Sequence, residues 1–445
     1  MRIRNLLFIG ALSFSTAANA QSWVEDSVEM GASYANDIFY SLQNGQVATA
    51  NASDWHLAFQ MTQFGNPWFN ATVRANHIKG KVEVYSLHKT GNDFTSIGAA
   101  DTNGLTLPYM QLINNDTSWG EGAFTQNRGT GVYDFGWGMY QGAPNHNLVG
   151  DSVYLVEVNN AAYKVWIQDY QSMGASQIGY TFRVANLDGT NDTTIVLKKN
   201  PDFANRLFAY YNLATQTVSD REPAKTSWDL LFTQYPKAGV FGPNGLQAFT
   251  GILTNDSVTV SEVVGIDPDT MTAASYTSYF SGMSHYINEI GDDWKTFNQS
   301  AMMYNIDTMK SWIVKSTNSM EYYQLKFTRF DGAFPPYTGK IVFATRLLGQ
   351  VTNVKEIVST IGAYTVAPNP ANDNVTVMLD ARSDAGNGKL IVTDIAGKVV
   401  MVKNMDIKSG INAVSFSTAN LTSGTYMVTL TNGSWKATEK LSVQH

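Results

Sequence analysis

The chain has 445 residues, a formal net charge of −7 and no cysteine. Without cysteine it can form no disulfide, no thiolate metal site and no thiol nucleophile, so its core alone must hold it together. The mild acidic excess, with no basic cluster, excludes a nucleic-acid-binding protein, because phosphate recognition needs a concentrated positive surface.

The N-terminal residues 1–20 have the pattern of a secretory signal peptide. Arg2 and Arg4 precede the apolar run Leu6–Phe14, and Ala18-Asn19-Ala20 supplies an A-x-A cleavage site. The apolar run is shorter than the roughly 20 residues that a transmembrane helix needs. No later segment is long and apolar enough either. We therefore expect an exported protein without a transmembrane span.

Residues 21–350 contain an internal repeat, which predicts two copies of one module. The clearest pair of blocks is Asp54-Trp55-His56-Leu57-Ala58-Phe59 and Ser227-Trp228-Asp229-Leu230-Leu231-Phe232. Other pairs of blocks keep one order in both copies. They are Ala35–Tyr40 with Ala204–Ala209, Trp137 and Tyr154–Val156 with Trp294 and Trp312–Val314, and Tyr163–Tyr170 with Tyr323–Phe330. This order indicates a tandem duplication, with copies at residues 21–195 and 196–350.

Both copies carry the alternation of apolar and polar side chains that is typical of β-strands with one buried face. The segments are VYLVEV, YKVWI and YTFRVANL in the first copy and SWIVKS, YYQLKFTRF and GKIVFATRLL in the second. Helical periodicity is confined to a weak pattern between residues 273 and 290. The sequence therefore predicts a mostly β protein. The tryptophans expected chiefly as core residues are Trp55, Trp137, Trp228 and Trp294.

The order of the repeated blocks resembles the HmuY family of exported haem-binding proteins. The matching segments are Asp54–Phe59, Trp137–Tyr140 and Tyr163–Ile167 in the first copy and Ser227–Phe232, Trp294–Phe297 and Tyr323–Phe327 in the second. The resemblance implies two tandem HmuY-like β modules whose protruding hairpins grip a haem. In that family two side chains, paired histidines or paired methionines, ligate the iron, and both types are usual axial donors.

The resemblance implies candidate iron ligands in both copies. In the second copy one residue from each of two groups would ligate the haem. The groups are Met271, Met283 and His285 in its variable middle, and Met302 and Met303 in the hairpin before the closing strands. In the first copy the candidate is His146 in the corresponding hairpin, without an evident second ligand. The alternative for the methionines is to fill irregular gaps in the core.

One further histidine lies inside a repeated block. His56 takes the position that Asp229 takes in the second copy. Asp is mostly exposed in folded proteins, so this pairing predicts a side chain that faces solvent from a strand. We therefore expect no ligand role for His56.

Motifs of known catalytic sites are missing. The sequence has no H-E-x-x-H, no G-x-S-x-G and no Walker-type phosphate loop. We therefore expect no enzyme, and two functions remain open. One is a haem-capture protein whose partner is haem or a haemoprotein. The other is a surface adhesion or scaffold protein with the same fold that does not bind haem, for which two copies raise avidity.

Residues 364–445 are predicted to form a separate unit after a linker at 351–363. Its spaced motifs are Pro368-Asn369-Pro370, Asp394 with Gly397-Lys398, Ser423-Gly424-Thr425-Tyr426 and Lys440-Leu441. They resemble the C-terminal sorting domain of cargo of the type IX secretion system. The resemblance implies a small seven-stranded immunoglobulin-like sandwich that the secretion machinery recognises. It also implies a protein at the outer cell surface or released from it.

Overall fold

The structure is a computed structural model that describes residues 22–62, 71–129, 131, 133–142, 147–171, 179–242, 245–280, 282–317, 321–335, 337–350, 361–381, 384–394, 398–432 and 436–445. Within these residues the chain is almost entirely antiparallel β-sheet, which confirms the predicted fold class. The weak helical pattern at 273–290 yields a single turn, α1 (Ala273–Tyr276). The 3-10 turns are Ala32–Tyr34, Gly91–Asp93, Ala99–Thr102, Pro108–Met110, Ala123–Thr125, Pro268–Thr270 and Thr277–Phe280.

The strands of residues 22–350 fall into four successive segments. Arm 1 (22–51) contains β1 (Val24–Glu29), β2 (Asn36–Ser41) and β3 (Gly45–Asn51). Body 1 (52–186) contains β4 (Leu57–Gln60), β5 (Val73–Ala75), β6 (Val82–Lys89), β7 (Gly138–Tyr140), β8 (Leu148–Gly150), β9 (Val153–Val158), β10 (Ala161–Gln171) and β11 (Gly179–Asn186). Arm 2 (193–224) contains β12 (Thr193–Lys198), β13 (Phe208–Asn212) and β14 (Thr217–Ser219). Body 2 (225–350) contains β15 (Leu230–Gly242), β16 (Gly245–Thr254), β17 (Thr259–Val264), β18 (Lys295–Asn298), β19 (Met303–Ile306), β20 (Lys310–Lys315), β21 (Glu321–Phe330) and β22 (Lys340–Gln350).

Within the described residues, the C-terminal sandwich has the seven strands that the resemblance to sorting domains implies. They are β23 (Ile361–Ala367), β24 (Asn374–Ala381), β25 (Gly386–Asp394), β26 (Val399–Ile407), β27 (Gly410–Ser417), β28 (Gly424–Thr431) and β29 (Lys436–Val443). Two sheets, in the orders β23-β24-β27 and β26-β25-β28-β29, enclose a separate apolar core.

The two arms are exchanged between the copies. Arm 1 opens the first copy, yet β1 pairs with β22 and β2 pairs with β15, both in body 2. Arm 2 opens the second copy, yet β12 pairs with β11 and β13 pairs with β4, both in body 1. Each body is therefore completed by the arm of the other copy, and residues 22–350 form one closed unit. The boundary predicted at 195/196 divides the sequence repeats, whereas strand pairing crosses it.

Equivalent hydrogen bonds show that the two halves of this unit share their local structure. The backbone N–H of His56 donates to the carbonyl of Tyr211 at 2.9 Å, and that of Asp229 donates to Tyr40 at 2.8 Å. Tyr40 therefore corresponds to Tyr211, and the predicted alignment of Tyr40 with Ala209 is wrong by two residues. Because side chains alternate with a period of two along a strand, a shift of two keeps every residue on its expected face and leaves no trace in the pattern.

His56 is only 6% exposed, so the predicted solvent-facing position is wrong. Its Nδ1 accepts the backbone N–H of Leu213 in arm 2 at 2.9 Å, and burial lowers its pKa. Asp229 does the same for arm 1, because its Oδ2 accepts the N–H of Leu42 at 2.8 Å. What imidazole and carboxylate share at this position is the capacity to accept a hydrogen bond from the incoming arm.

Each body encloses its own apolar core, and aromatic rings fill much of both. In body 2, Trp294 stacks on Phe327 with ring centres 4.3 Å apart. Trp137, Trp228 and Trp294 are at most 1% exposed, which confirms them as core residues. Trp55 is only partly buried and packs in the cluster between the two halves.

Glu222 holds the start of β13 in arm 2. Its Oε1 accepts the backbone N–H groups of Leu207 and Phe208, and its Oε2 accepts the hydroxyl of Tyr210 at 2.9 Å. The side chain is buried, and this burial raises its pKa to about 7. The unfolded chain, with a glutamate pKa of about 4.3, therefore releases a proton that the folded chain retains up to about pH 7.

Stability should therefore fall as the pH rises through this interval. The contribution of the Glu222 proton is complete below about pH 4.3 and is lost as the pH passes 7. Glutamine at position 222 carries no titratable proton. Between pH 5 and pH 8 we therefore expect the unfolding free energy of the Glu222→Gln variant to fall by about 1–3 kcal/mol less than that of the wild type. Urea unfolding at the two pH values measures this difference. Equal losses in both proteins would contradict the assignment.

Candidate functional site

The first group of predicted iron ligands lies against one face of the sheet β1-β22-β21-β20-β17. Met271 is 5% exposed and packs with Ile313 and Tyr322. Its sulfur accepts the side-chain amide of Gln324 at 3.0 Å, and Gln324 in turn accepts Nε of Arg346 at 2.9 Å. Met271 therefore fills the core and has its sulfur engaged by a buried polar network.

Met283 borders the same cluster. Its sulfur accepts the hydroxyl of Thr259 at 3.6 Å. His285 follows the isolated bridge between Ser284 and Val260, and its side chain is exposed. The group thus combines two packed thioethers with one exposed imidazole.

The second group lies at the tip of the β18–β19 hairpin. Met302 has a φ of 50° in the turn and Met303 begins β19, and their side chains are 58% and 51% exposed. On the inner side of the hairpin, the ring of Tyr304 lies 5.2 Å from that of Phe297 and 5.2 Å from that of Phe330. The hairpin therefore packs against β21 through aromatic rings and exposes its methionines.

The two groups lie on opposite faces of one sheet. In β21, Tyr322 joins the Met271 cluster, whereas Tyr323 belongs to the core of body 2, against which β19 packs. Successive strand residues point to opposite faces, so the sheet separates Met271 from Met303. The structure does not bring one methionine from each group to a common iron position. His146 lies outside the described residues, and haem ligation by any of these residues stays a prediction.

The hairpin carries part of a set of exposed apolar side chains that we call the rim. Its side chains are at least 42% exposed and lie on the hairpin and on the turn between β21 and β22. Tyr34 of arm 1 braces that turn, because its hydroxyl donates to the carbonyl of Gly332 and its N–H to that of Tyr337, both at 3.2 Å. The rim consists of Phe297, Met302, Met303, Phe334 and Tyr337.

Backbone strain occurs at and beside the rim, as it also does at Lys81, His88 and Gln216 elsewhere among the described residues. Tyr34, Tyr337 and Met302 have φ values of 56°, 52° and 50°, in the left-handed region that side chains other than glycine rarely adopt. Each such residue costs on the order of 1–2 kcal/mol, and such strain clusters at functional sites. The sequence pointed to the methionines of the rim but not to Tyr34 or Tyr337, because no local pattern marks these angles.

A partly buried lysine lies at the base of the hairpin. The Nζ of Lys295 lies 4.3 Å from the ring centre of Trp294 and donates to the carbonyl of Thr250 at 2.5 Å. Burial lowers the pKa of Lys295 to about 8. Since Trp294 stacks on Phe327 in the core, the base of the hairpin is tied to the sheet. Among the described residues, no group of three or more His, Asp and Glu side chains is placed to hold a metal ion.

Residues 365–444 match the family model described as a secretion system C-terminal sorting domain. The C-terminal sandwich is a type IX sorting domain. The sorting domain indicates export to the cell surface or beyond it, and an interaction with the secretion machinery. In the part of the chain that the structure describes, no helix has the length and apolar character needed to cross a membrane.

The remaining comparisons concern the whole chain. No curated protein matches it. Among solved structures, the crystal structure of dimeric latent PorU from Porphyromonas gingivalis is similar over 68% of this chain and 32% of that chain, with 9% sequence identity and a TM-score of 0.18. This chain therefore spans less than two thirds of that protein, and the low TM-score defines no common fold. The resemblance of the two copies to HmuY proteins stays a prediction.

Proposed function

We propose that this chain is an exported, non-catalytic adhesion or scaffold protein that binds a protein partner through the rim. The observation that carries this proposal is the exposure of five large apolar side chains around one firmly seated hairpin. Tyr304 of the hairpin and Tyr337 of the turn both lie close to Tyr34, and exposed apolar side chains grouped in this way mark interaction sites in soluble proteins. Export by the sorting domain supports the proposal, because it brings the rim to the cell exterior.

The chemistry of the rim favours a protein as the partner. Its side chains are phenylalanine, tyrosine and methionine, which are enriched in protein interfaces. Methionine is also adaptable and polarizable, which suits a surface that packs against another protein. No rim residue is charged, and the nearby cation of Lys295 donates to the main-chain carbonyls of Thr250 and Asp292, so an anionic polymer finds no matching charge there.

Replacing rim residues should abolish adhesion without unfolding the protein. In the triple variant Phe297→Ser, Met303→Ser and Phe334→Ser, we expect binding to protein-coated surfaces to fall at least about tenfold, because hydrophobic anchors carry most interface energy. The control is a triple serine variant at exposed apolar positions elsewhere, Val149, Val196 and Val218. Equal binding by both variants, or adhesion to polysaccharide instead of protein, would overturn the proposal.

Haem capture is the competing function, and no described contact favours it. The Met271 sulfur is engaged by Gln324, and a sheet separates it from Met303. For haem titrated into the chain from residue 21 onward, we expect no saturable Soret shift, and no difference between the wild type and a Met303→Ala variant. A saturable six-coordinate spectrum that disappears in Met303→Ala or Met271→Ala would establish haem binding and refute the adhesion proposal.

A further inference from the structure

A second candidate site lies where the two halves of the exchanged unit meet, on elements other than those of the rim. A cavity of about 90 Å³ is bordered by all four segments. Arm 1 contributes Phe39, body 1 contributes Trp55 and Arg74, arm 2 contributes Tyr210, and body 2 contributes Leu231. The cavity therefore exists only when both arms are in place. We call it the seam cavity.

Aromatic rings give the seam cavity apolar walls. Trp55 meets Tyr210 edge to face with ring centres 5.1 Å apart, and the equivalent pair in the other half, Trp228 and Phe39, has the same 5.1 Å separation. Leu231 is 9% exposed and Ala58 is 2% exposed, and both belong to the same apolar cluster. Such walls accept the apolar part of a ligand.

The two arginines at the seam cavity differ in how closely their charges are balanced. Arg221 is neutralised, because its Nη2 lies 2.9 Å from the carboxylate of Asp37 and its Nε lies 3.0 Å from that of Asp54. Arg74 has no carboxylate within salt-bridge distance among the described residues. Its Nη1 and Nη2 donate to main-chain carbonyls, including that of Ser118 at 2.6 Å. Neutral carbonyls satisfy the N–H groups, and the carboxylates of Asp116 and Glu121 act on this buried positive charge only from beyond salt-bridge distance.

A histidine on the cavity wall does not change this balance. His77 donates from Nδ1 to the carbonyl of Val82 at 2.8 Å and accepts the N–H of Asn114 at Nε2 at 3.2 Å. Burial lowers its pKa to about 4, so the imidazole is neutral at physiological pH. One donor on the wall is unused, because the indole N–H of Trp55 is buried without a hydrogen-bond partner. A buried polar group of this kind costs free energy until it finds an acceptor.

We propose that the seam cavity binds a small organic carboxylate of the size of acetate or propionate. The carboxylate compensates the charge of Arg74 and accepts the N–H of Trp55, while the alkyl group packs against Phe39 and Leu231. The volume matches such a ligand, since a cavity of 90 Å³ corresponds to about three water molecules. Because the ligand contacts both halves, its binding stabilises the exchanged unit.

Thermal unfolding of the full chain with increasing propionate tests this proposal. Ionic strength is held constant with chloride, and propionamide serves as the neutral analogue. We expect propionate to raise the Tm saturably and propionamide to leave it unchanged. A response that does not saturate, or one that propionamide reproduces, would overturn the proposal.

Two variants locate the effect. Ala58→Leu fills the cavity with the side chain that Leu231 provides at the equivalent position, and we expect it to abolish the propionate response. Trp55→Phe keeps the aromatic wall but removes the N–H, and we expect about tenfold weaker binding because one hydrogen bond to a charged acceptor is lost. Trp55→Phe also decides the matter if Ala58→Leu fails to fold. Wild-type affinity in Trp55→Phe, or an undiminished response in a folded Ala58→Leu protein, would refute the site.

Discussion

Moving arm 1 to the end of body 2 is expected to preserve the fold, whereas cutting the chain between residues 192 and 193, directly before arm 2, is expected to leave neither half a folded monomer. The reason is the exchange of the arms. Each separated copy keeps its own arm but lacks the body with which that arm pairs. In the first copy β11 loses β12 and β4 loses β13, and in the second copy β22 loses β1 and β15 loses β2. Long unpaired edges of this kind promote aggregation.

The permuted chain avoids this problem because β22 and β1 are already antiparallel neighbours. Val24 lies opposite Thr345, so a short connection from residue 350 to residue 22 forms a hairpin like the one that joins β11 to β12. Near-UV circular dichroism and size-exclusion chromatography distinguish the outcomes. We expect native signals from the permuted chain, and from the two separated copies only after mixing. Two folded monomers obtained without mixing would refute the exchange.

Replacing Asp229 by alanine is expected to cost about 3–5 kcal/mol of unfolding free energy, because it leaves several buried donors without an acceptor. Oδ2 accepts the N–H of Leu42 in arm 1, and Oδ1 accepts the hydroxyl of Ser316 at 3.0 Å and the N–H of Thr317 at 2.8 Å. The carboxylate is 2% exposed, so water cannot replace it without rearrangement.

The matched control for this variant is His56→Ala, at the equivalent position of the other half. His56 accepts one backbone N–H from its arm, that of Leu213. We therefore expect His56→Ala to cost about 1–2 kcal/mol. Urea unfolding of the two variants measures the difference. If both lost the same stability within about 0.5 kcal/mol, the additional hydrogen bonds of Asp229 would have no energetic role.

Local structure was largely predictable from this sequence. Alternation located the last three strands of each body, β9–β11 and β20–β22. The tryptophan blocks marked equivalent positions, and the spaced motifs after residue 364 identified the sorting domain. Each of these features depends on residues close together in the chain. That is the range over which side-chain periodicity and turn chemistry act.

The exchange of the arms was not predictable, for a physical reason. Because the copies are duplicates, each arm has a pattern that fits either body, and β1 has only one buried residue, Val28, to indicate its partner. The candidate ligands failed to meet for a related reason. Alternation predicts that Tyr322 and Tyr323 face opposite sides of a sheet, but spacing along the chain does not reveal that Met271 packs on one side and the hairpin of Met303 on the other.

The absence of cysteine makes the exchange directly testable. Ser27 of β1 lies opposite Val342 of β22, at the position that Thr181 takes in the first copy. We expect the full-length Ser27→Cys/Val342→Cys variant to form an intramolecular disulfide on oxidation, because directly opposed strand residues are close enough to bridge. Mass spectrometry of the linked peptides detects this disulfide. The control Ser27→Cys/Thr181→Cys should remain reduced. A disulfide in the control and none in the first pair would show that arm 1 completes its own copy, and would contradict the exchanged fold.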